Sequence, residues 1–530
     1  MKDFYNAALL FLVFSNRAVA QQPLFRAVDI DVGTTEQVQF SDGKRATVKL
    51  LAISETRDKA RSAIREARAE VEINGSSAIL SCGNYRLPVA LGEVQADCTV
   101  TKAYYQNTNH DHWGLEKDAR LRLWPAGSPF MPPGSMVYPV RQCWFASRTQ
   151  MANEPTYVDE GERISSAKIY YHAGLDIGGA EGLVEVLAAT SGVVVGLGTD
   201  GVDKEKNNAS LDHQYNDTIW VKDERGWYHR YTHLYSFDPS VKLGGQVVIG
   251  QKIGTLGKEG GSGGWSHLHY EILSPQASGK LGTQEGYAFL WEAYQRQYKP
   301  PLIAVVRPHQ AVLVGEKATL DGSRSWSASH IARYEWTFTD GKKASGPRVE
   351  RSYSNAGTFS EILKIADDQG RTAYDFETVN VLDPKHPEQV PPSIQAAYWP
   401  TMGIAPGKPV TFKVRTFGTV EGQETWSFGD GATATTRSDG NVVPLAKNGF
   451  ATTTHVFTKP GDYIVRVGRA NRLGQRAIAH LWVRVGGSDN RLSGMRQAIN
   501  PACRLEQPSG HSRTLTAIPN RHPRGSLATQ

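Results

Sequence analysis

The chain has 530 residues, too many for one hydrophobic core, and a length prior divides it into roughly three to five domains. Hydrophobic residues at 40% and aromatics at 9% are ordinary for globular protein, and a net charge of +6 is too diffuse for nucleic-acid recognition. No stripe interleaves lysine, arginine and aromatic residues. The 52 glycines, 27 prolines and scarcity of long amphipathic runs predict a mostly β, multidomain protein. At the N-terminus Lys2 precedes an apolar run from Ala7 to Phe14, and Ala18, Val19 and Ala20 offer a small-residue cleavage site. That run is shorter than the roughly 20 residues of a membrane span. The expectation is a signal peptide over 1–20, cleaved near Ala20, and a mature chain that is secreted or held in the periplasm or cell envelope. No later stretch reads as a membrane span.

From Gln21 to about Val140 a first region reads as an accessory, β-rich domain that shields or steers its C-terminal neighbour. Ala46–Leu51 and Arg120–Trp124 alternate as strands do. Asp58–Glu70 is rich in arginine, glutamate and alanine, and fits either a helix or a solvated strand pair. His110-Asp-His112 lacks a third metal partner and reads as a solvated loop. Cys82 and Cys98 bracket a short strand–turn–strand stretch able to carry a local disulfide; with Cys143 and Cys503, four cysteines allow three pairings. Pro125–Pro139 is a proline- and glycine-rich linker, flanked by Trp124 and Trp144, which argue that it packs onto something.

Between about Cys143 and Lys299 three short pieces stand out: His172-Ala-Gly-Leu-Asp176, Tyr231-Thr-His233-Leu, and His267-Leu-His269. Zinc takes neutral imidazole and carboxylate, and a catalytic zinc keeps three protein ligands and one open corner. Four histidines and an aspartate exceed that need. Side chains two or four apart on a strand share a face, so His267 and His269 point together, as do His172 and Asp176 if that stretch is extended. One imidazole can then bind the metal while its neighbour stays free to move a proton. His229 shares strand parity with His233, yet it reads as a surface residue, as does His213.

These pieces sit in a longer pattern. Ala188-Ala-Thr-Ser-Gly192-Val-Val-Val precedes Tyr231-Thr-His233, Gly244–Gly254 carries four glycines, and His267-Leu-His269-Tyr-Glu271 closes it. From about Tyr171 to Ile272 the chain resembles the lysostaphin-type (LytM-like) zinc endopeptidases, which cut peptide bonds in peptidoglycan. The resemblance implies Zn2+ on His172, Asp176 and His269, catalytic roles for His233 and His267, and an antiparallel β core with a groove across one sheet. Two stretches depart from the usual pattern: Thr199–Gln214 is longer and more charged, and Glu259–Ser266 is unusually glycine-rich. Both are expected to flank the groove and to bear on substrate preference.

Beyond Pro300 the chain repeats itself. Tyr334-Glu-Trp336-Thr-Phe-Thr-Asp340-Gly answers Glu424-Thr-Trp426-Ser-Phe-Gly-Asp430-Gly, and Ala356-Gly-Thr-Phe359 answers Pro460-Gly-Asp-Tyr463. Each copy closes on an alternating strand, Glu377–Val381 and His480–Val485. Both copies, 300–384 and 391–486, resemble the PKD domain, an immunoglobulin-like sandwich, with their tryptophans in the core and a proline-rich joint, Asp383–Pro392, between them. From 487 to 530 the composition turns to serine, proline and arginine and reads as a disordered basic tail. The expectation is a secreted zinc metalloendopeptidase acting on peptidoglycan, with the sandwiches contacting polysaccharide or protein. The alternatives are a protease for extracellular proteins and a non-catalytic wall-binding module.

Overall fold

The computed structural model describes residues 22–82, 85–106, 112–149, 155–157, 169–201 and 216–486. The signal-peptide segment, His110, His213, Cys503, the basic tail and most of the Thr199–Gln214 connection lie outside the described residues. Strand dominates, as expected, in antiparallel sheets with few helical residues. No helix among the described residues is long and apolar enough to cross a membrane.

The N-terminal region forms two four-stranded antiparallel sheets. The ambiguous charged stretch resolves into the strand Ile64–Ile73: Ala67, Ala69, Val71 and Ile73 are buried while Arg68, Glu70 and Glu72 face outward. That period of two is what a strand needs and a helix cannot use. Strand Ala119–Pro125 is buried on both faces. Its leucines join the domain core, while Arg120 pairs with Asp29 at 2.6 Å and Arg122 with Asp97 at 2.5 Å. Arg122 also donates to the Glu285 carbonyl at 2.7 Å, tying this region to the next. Guanidinium groups so deeply buried are tolerable because each is met by a two-oxygen partner. Cys82 and Cys98 come together across an isolated β-bridge as buried free thiols, and the half-buried Cys143 is a free thiol as well.

The next unit is built on an eight-stranded sheet. Leu175–Gly178, His267–Pro275, Tyr228–Thr232, Ile219–Lys222 and Gly192–Leu197 lie side by side, each antiparallel to its neighbour. A three-stranded sheet of Glu185–Leu187, Lys252–Leu256 and Leu234–Phe237 lies beside it. Leu268, Tyr270, Ile272 and Tyr231 fill the core between them, and the helix Tyr287–Tyr298 adds Phe289, Leu290 and Trp291. The linker packs as its tryptophans foretold, with Trp124 and Trp144 both in this core.

Trp336 and Trp426 are core residues of the two C-terminal sandwiches. The joint 383–392 does not leave them independent. Gly357 and Thr358 pair in parallel with Arg476 and Ala477, so one nine-stranded sheet runs through both. The second sandwich also meets the eight-stranded unit, where Ser147 Oγ donates to the Ala396 carbonyl at 2.8 Å.

Candidate metallopeptidase site

Alternation along His267–Pro275 turns Leu268, Tyr270 and Ile272 into the core and leaves His267, His269 and Glu271 on the opposite face. Cross-strand register places Asp176 opposite His269 and Gly178 opposite His267. His172 arrives differently. The stretch before Leu175 is not extended, which corrects the strand-parity expectation: Gly174, at φ +105°, turns the chain and brings His172 back over His269. Only glycine fits there, because a Cβ would lie 3.0 Å from His269 Cε1 as well as in a strained backbone.

The three atoms that meet are His172 Nε2, Asp176 Oδ1 and His269 Nδ1. His172 Nε2 is 3.0 Å from His269 Nδ1 and 3.1 Å from Asp176 Oδ1, and the last two are 2.9 Å apart. With both imidazoles neutral and their other nitrogens protonated, these three atoms would all turn lone pairs on one point, which is a cation site. The edges of a zinc tetrahedron with bonds of about 2.0–2.1 Å are about 3.3 Å, so small outward shifts suffice to hold one. The residues fit the metal. Burial works against charge on Asp176, but His172 and His267 beside it, with hydrogen bonds from His172 and His269, hold its carboxyl well below the usual range. Behind His269, Glu271 Oε2 lies 3.9 Å from the ring's other nitrogen, and is itself braced by Arg230 at 3.4 Å. Such outer partners orient a metal-binding imidazole.

Across from this triad stand His233 and His267, their ring centroids 4.6 Å apart. By parity His233 should follow His229 and Tyr231 into the core. It does not, because its backbone adopts φ +68°, left-handed and unusual for a residue other than glycine, and this breaks the alternation. Asp217 supports the strained residue by accepting from its backbone N–H at 2.7 Å. His233 Nδ1 faces the Glu259 carbonyl at 2.7 Å and Asp217 Oδ2 at 3.2 Å, and His267 Nδ1 faces the Trp265 carbonyl at 3.0 Å. A carbonyl can only accept, so each Nδ1 carries the proton, leaving Nε2 of each neutral ring as the basic atom. Burial and then the neighbouring histidines favour the neutral form of the His267 ring, against the opposing pull of Asp176.

Asp217 and Glu271 were not singled out in the sequence. Glu271 had a signal, since it lies two residues past His269 on the same strand face. Asp217 had none, being sixteen residues from the histidine it supports. Replacing Asp217 by asparagine keeps the shape but removes the charge under His233. Turnover is expected to fall roughly 10–100-fold with metal content and KM unchanged; kinetics beside metal analysis checks this, and an unchanged kcat would exclude the role.

His229 is neither on the surface, as expected, nor in the groove. It is fully buried on the core side, with Nδ1 2.8 Å from the Tyr270 hydroxyl and Nε2 3.1 Å from Asp223. His112 is half-buried, and its backbone carbonyl accepts from Thr283.

Two imidazoles and a carboxylate gathered on one point, faced by two imidazoles with oriented nitrogens, define a candidate metallopeptidase centre. The comparisons agree in kind. Residues 170–280 match Peptidase family M23, and residues 298–381 and 395–480 each match the PKD domain. The chain thus carries an M23 peptidase domain followed by two PKD domains. Collagenase ColA of Clostridium perfringens is 28% identical over 88 residues, 16% of this chain; the match spans only 8% of that relative. Among solved structures, Helicobacter pylori Csd3 is similar at 13% identity, covering 47% of this chain and 82% of its own, with a TM-score of 0.19. A putative peptidase M23 from Pseudomonas aeruginosa is similar at 15% identity over 48% of this chain and 91% of its own, with a TM-score of 0.18.

Proposed function

We propose that the protein is a secreted zinc metalloendopeptidase that hydrolyses peptide bonds in the stem peptides or cross-bridges of peptidoglycan. The observation that carries the reading is the meeting of His172 Nε2, Asp176 Oδ1 and His269 Nδ1 within hydrogen-bonding range of one another, opposite two imidazoles with basic Nε2 atoms. Zinc, when bound, supplies Lewis acidity and lowers the pKa of water. His172, Asp176 and His269 hold it, and Glu271 keeps the His269 ring in orientation. His267, neutral and with Nδ1–H fixed, accepts the proton of the attacking water at Nε2. His233, protonated at Nε2, hydrogen-bonds the carbonyl oxygen as it gains charge, with Asp217 balancing the charge on the ring, and the proton that His267 took from water passes to the leaving amine. The mild positive charge of the chain suits an anionic wall polymer. A peptide stem linked to glycan also gives the PKD domains something to contact.

A second reading is supported by the likeness to Collagenase ColA: an enzyme for extracellular proteins. The zinc-loaded full chain, incubated with purified peptidoglycan and in parallel with casein or elastin, separates the readings by mass spectrometry of the released fragments. Soluble wall fragments with new amino termini are expected. Cleaved casein beside intact wall favours the second reading, and neither product from metal-loaded protein leaves a binding module.

A further inference from the structure

The two carbonyls that orient the catalytic histidines belong to one loop, Glu259–Ser266. Its sequence includes Gly260, Gly261, Gly263 and Gly264. Glycine gains most freedom when a chain is released, so such a loop stays fixed only if other groups hold it. At its start the peptidase domain supplies them. Lys258 forms a buried ion pair with Glu181, and Ser262 Oγ donates to the Lys258 carbonyl.

At its end the holding groups come mostly from the second PKD domain. Asn441 Nδ2 donates to the Gly263 carbonyl at 3.0 Å, and Arg415 Nη1 to the Gly264 carbonyl at 3.1 Å. Phe417 stacks on Trp265 with centroids 4.1 Å apart and planes at 9°. Gln395 accepts from the Ser266 N–H and donates to the Ser266 carbonyl, both at 2.7 Å, much as a neighbouring strand would. Four consecutive residues are thus each met by one side chain. Arg415 is set in place beforehand by Asp439, at 2.5 and 2.8 Å, and by the carbonyls of Val443 and Pro444. The fit is close: a Cβ on Gly264 would fall 2.1 Å from Asn441 Oδ1 and 2.7 Å from Arg415 Nη1.

We infer that the second PKD domain is a positioning element of the active site, its Gln395, Arg415, Phe417 and Asn441 fixing the end of the loop whose Trp265 carbonyl aims His267. This rests on the catalytic reading of His267. It assigns the domain a role in turnover, distinct from a grip on distant substrate. Trp265 is the link, since its ring is held by Phe417 while its carbonyl holds His267 Nδ1.

The test uses the full zinc-loaded chain with Phe417→Ala and Asn441→Gly, singly and together. Phe417 lies outside its own domain's core cluster and Asn441 is already left-handed at φ +61°, so both changes spare that core. Amide exchange over residues 260–266 is expected to rise about tenfold or more in the double variant. The Nδ1–H signal of His267, read by nitrogen-15 NMR, is expected to broaden or vanish, while that of His233, held from the loop's other end, is expected to change less. On peptidoglycan kcat is expected to fall about tenfold or more with KM and zinc content unchanged. Phe417→Tyr, which keeps the stacked ring, is expected to behave as the unmodified chain. Unaltered exchange would overturn the inference, and so would intact kcat with raised KM, which is the signature of a substrate grip. If the unmodified chain turns nothing over, the catalytic reading fails separately, while exchange and the NMR signals still decide whether the domain holds the loop and the His267 ring.

Discussion

Replacing His269 by alanine is expected to remove the metal and the activity together. Its Nδ1 lies closest to Asp176 of the two ligand imidazoles, 2.9 Å from Oδ1, and its ring is held from behind by Glu271. Without it, His172 and Asp176 remain as a two-ligand site, fewer than the three protein ligands of a catalytic zinc. Metal analysis after dialysis should find about one zinc per unmodified chain and almost none in the variant. Because a metal bound only to the folded state stabilises it, chelation should lower the melting temperature of the unmodified chain. The variant's melting temperature should not respond. A variant that retains stoichiometric zinc would remove His269 from the ligand set whatever its activity.

His267→Ala is expected to give the opposite combination: zinc retained, turnover lost. His267 Nε2 lies 3.5 Å from Asp176 Oδ1, farther than either ligand nitrogen, and its Nδ1 is committed to the Trp265 carbonyl. The ring therefore adds little to metal affinity. In the proposed reaction its Nε2 takes the proton of the attacking water, and removal of a positioned general base costs about 10²–10⁴-fold in kcat. The contrast between neighbours two residues apart separates ligand from base more sharply than either variant alone. Normal turnover in this variant, or loss of its zinc, would reverse the roles of the pair.

How much of this was legible beforehand depends on distance along the chain. His269 and His267 lie on one strand, where a period of two decides facing, and the sequence was enough to group them; Glu271 obeys the same rule but was not singled out. Asp58–Glu70 fitted a helix or a solvated strand pair equally in sequence, and the buried alanines of Ile64–Ile73 decided for a strand only in the structure. His233 was legible only through its motif, since simple parity sends it the wrong way. Its left-handed backbone depends on Asp217, and the pairing of a residue with a distant carboxylate leaves no periodic trace.

From the sequence alone came the β character, the repeated sandwiches with tryptophan cores and the five residues of the candidate site, because local patterning and short motifs encode each of them. Tertiary structure decided which ring nitrogen is free, that Gly174 folds His172 back over His269, that His229 belongs to the core, and that the second sandwich holds the glycine loop. Those outcomes rest on hydrogen bonds and close approaches between segments far apart in the chain. The energy of such contacts depends on geometry to within fractions of an ångström, which residue order does not carry.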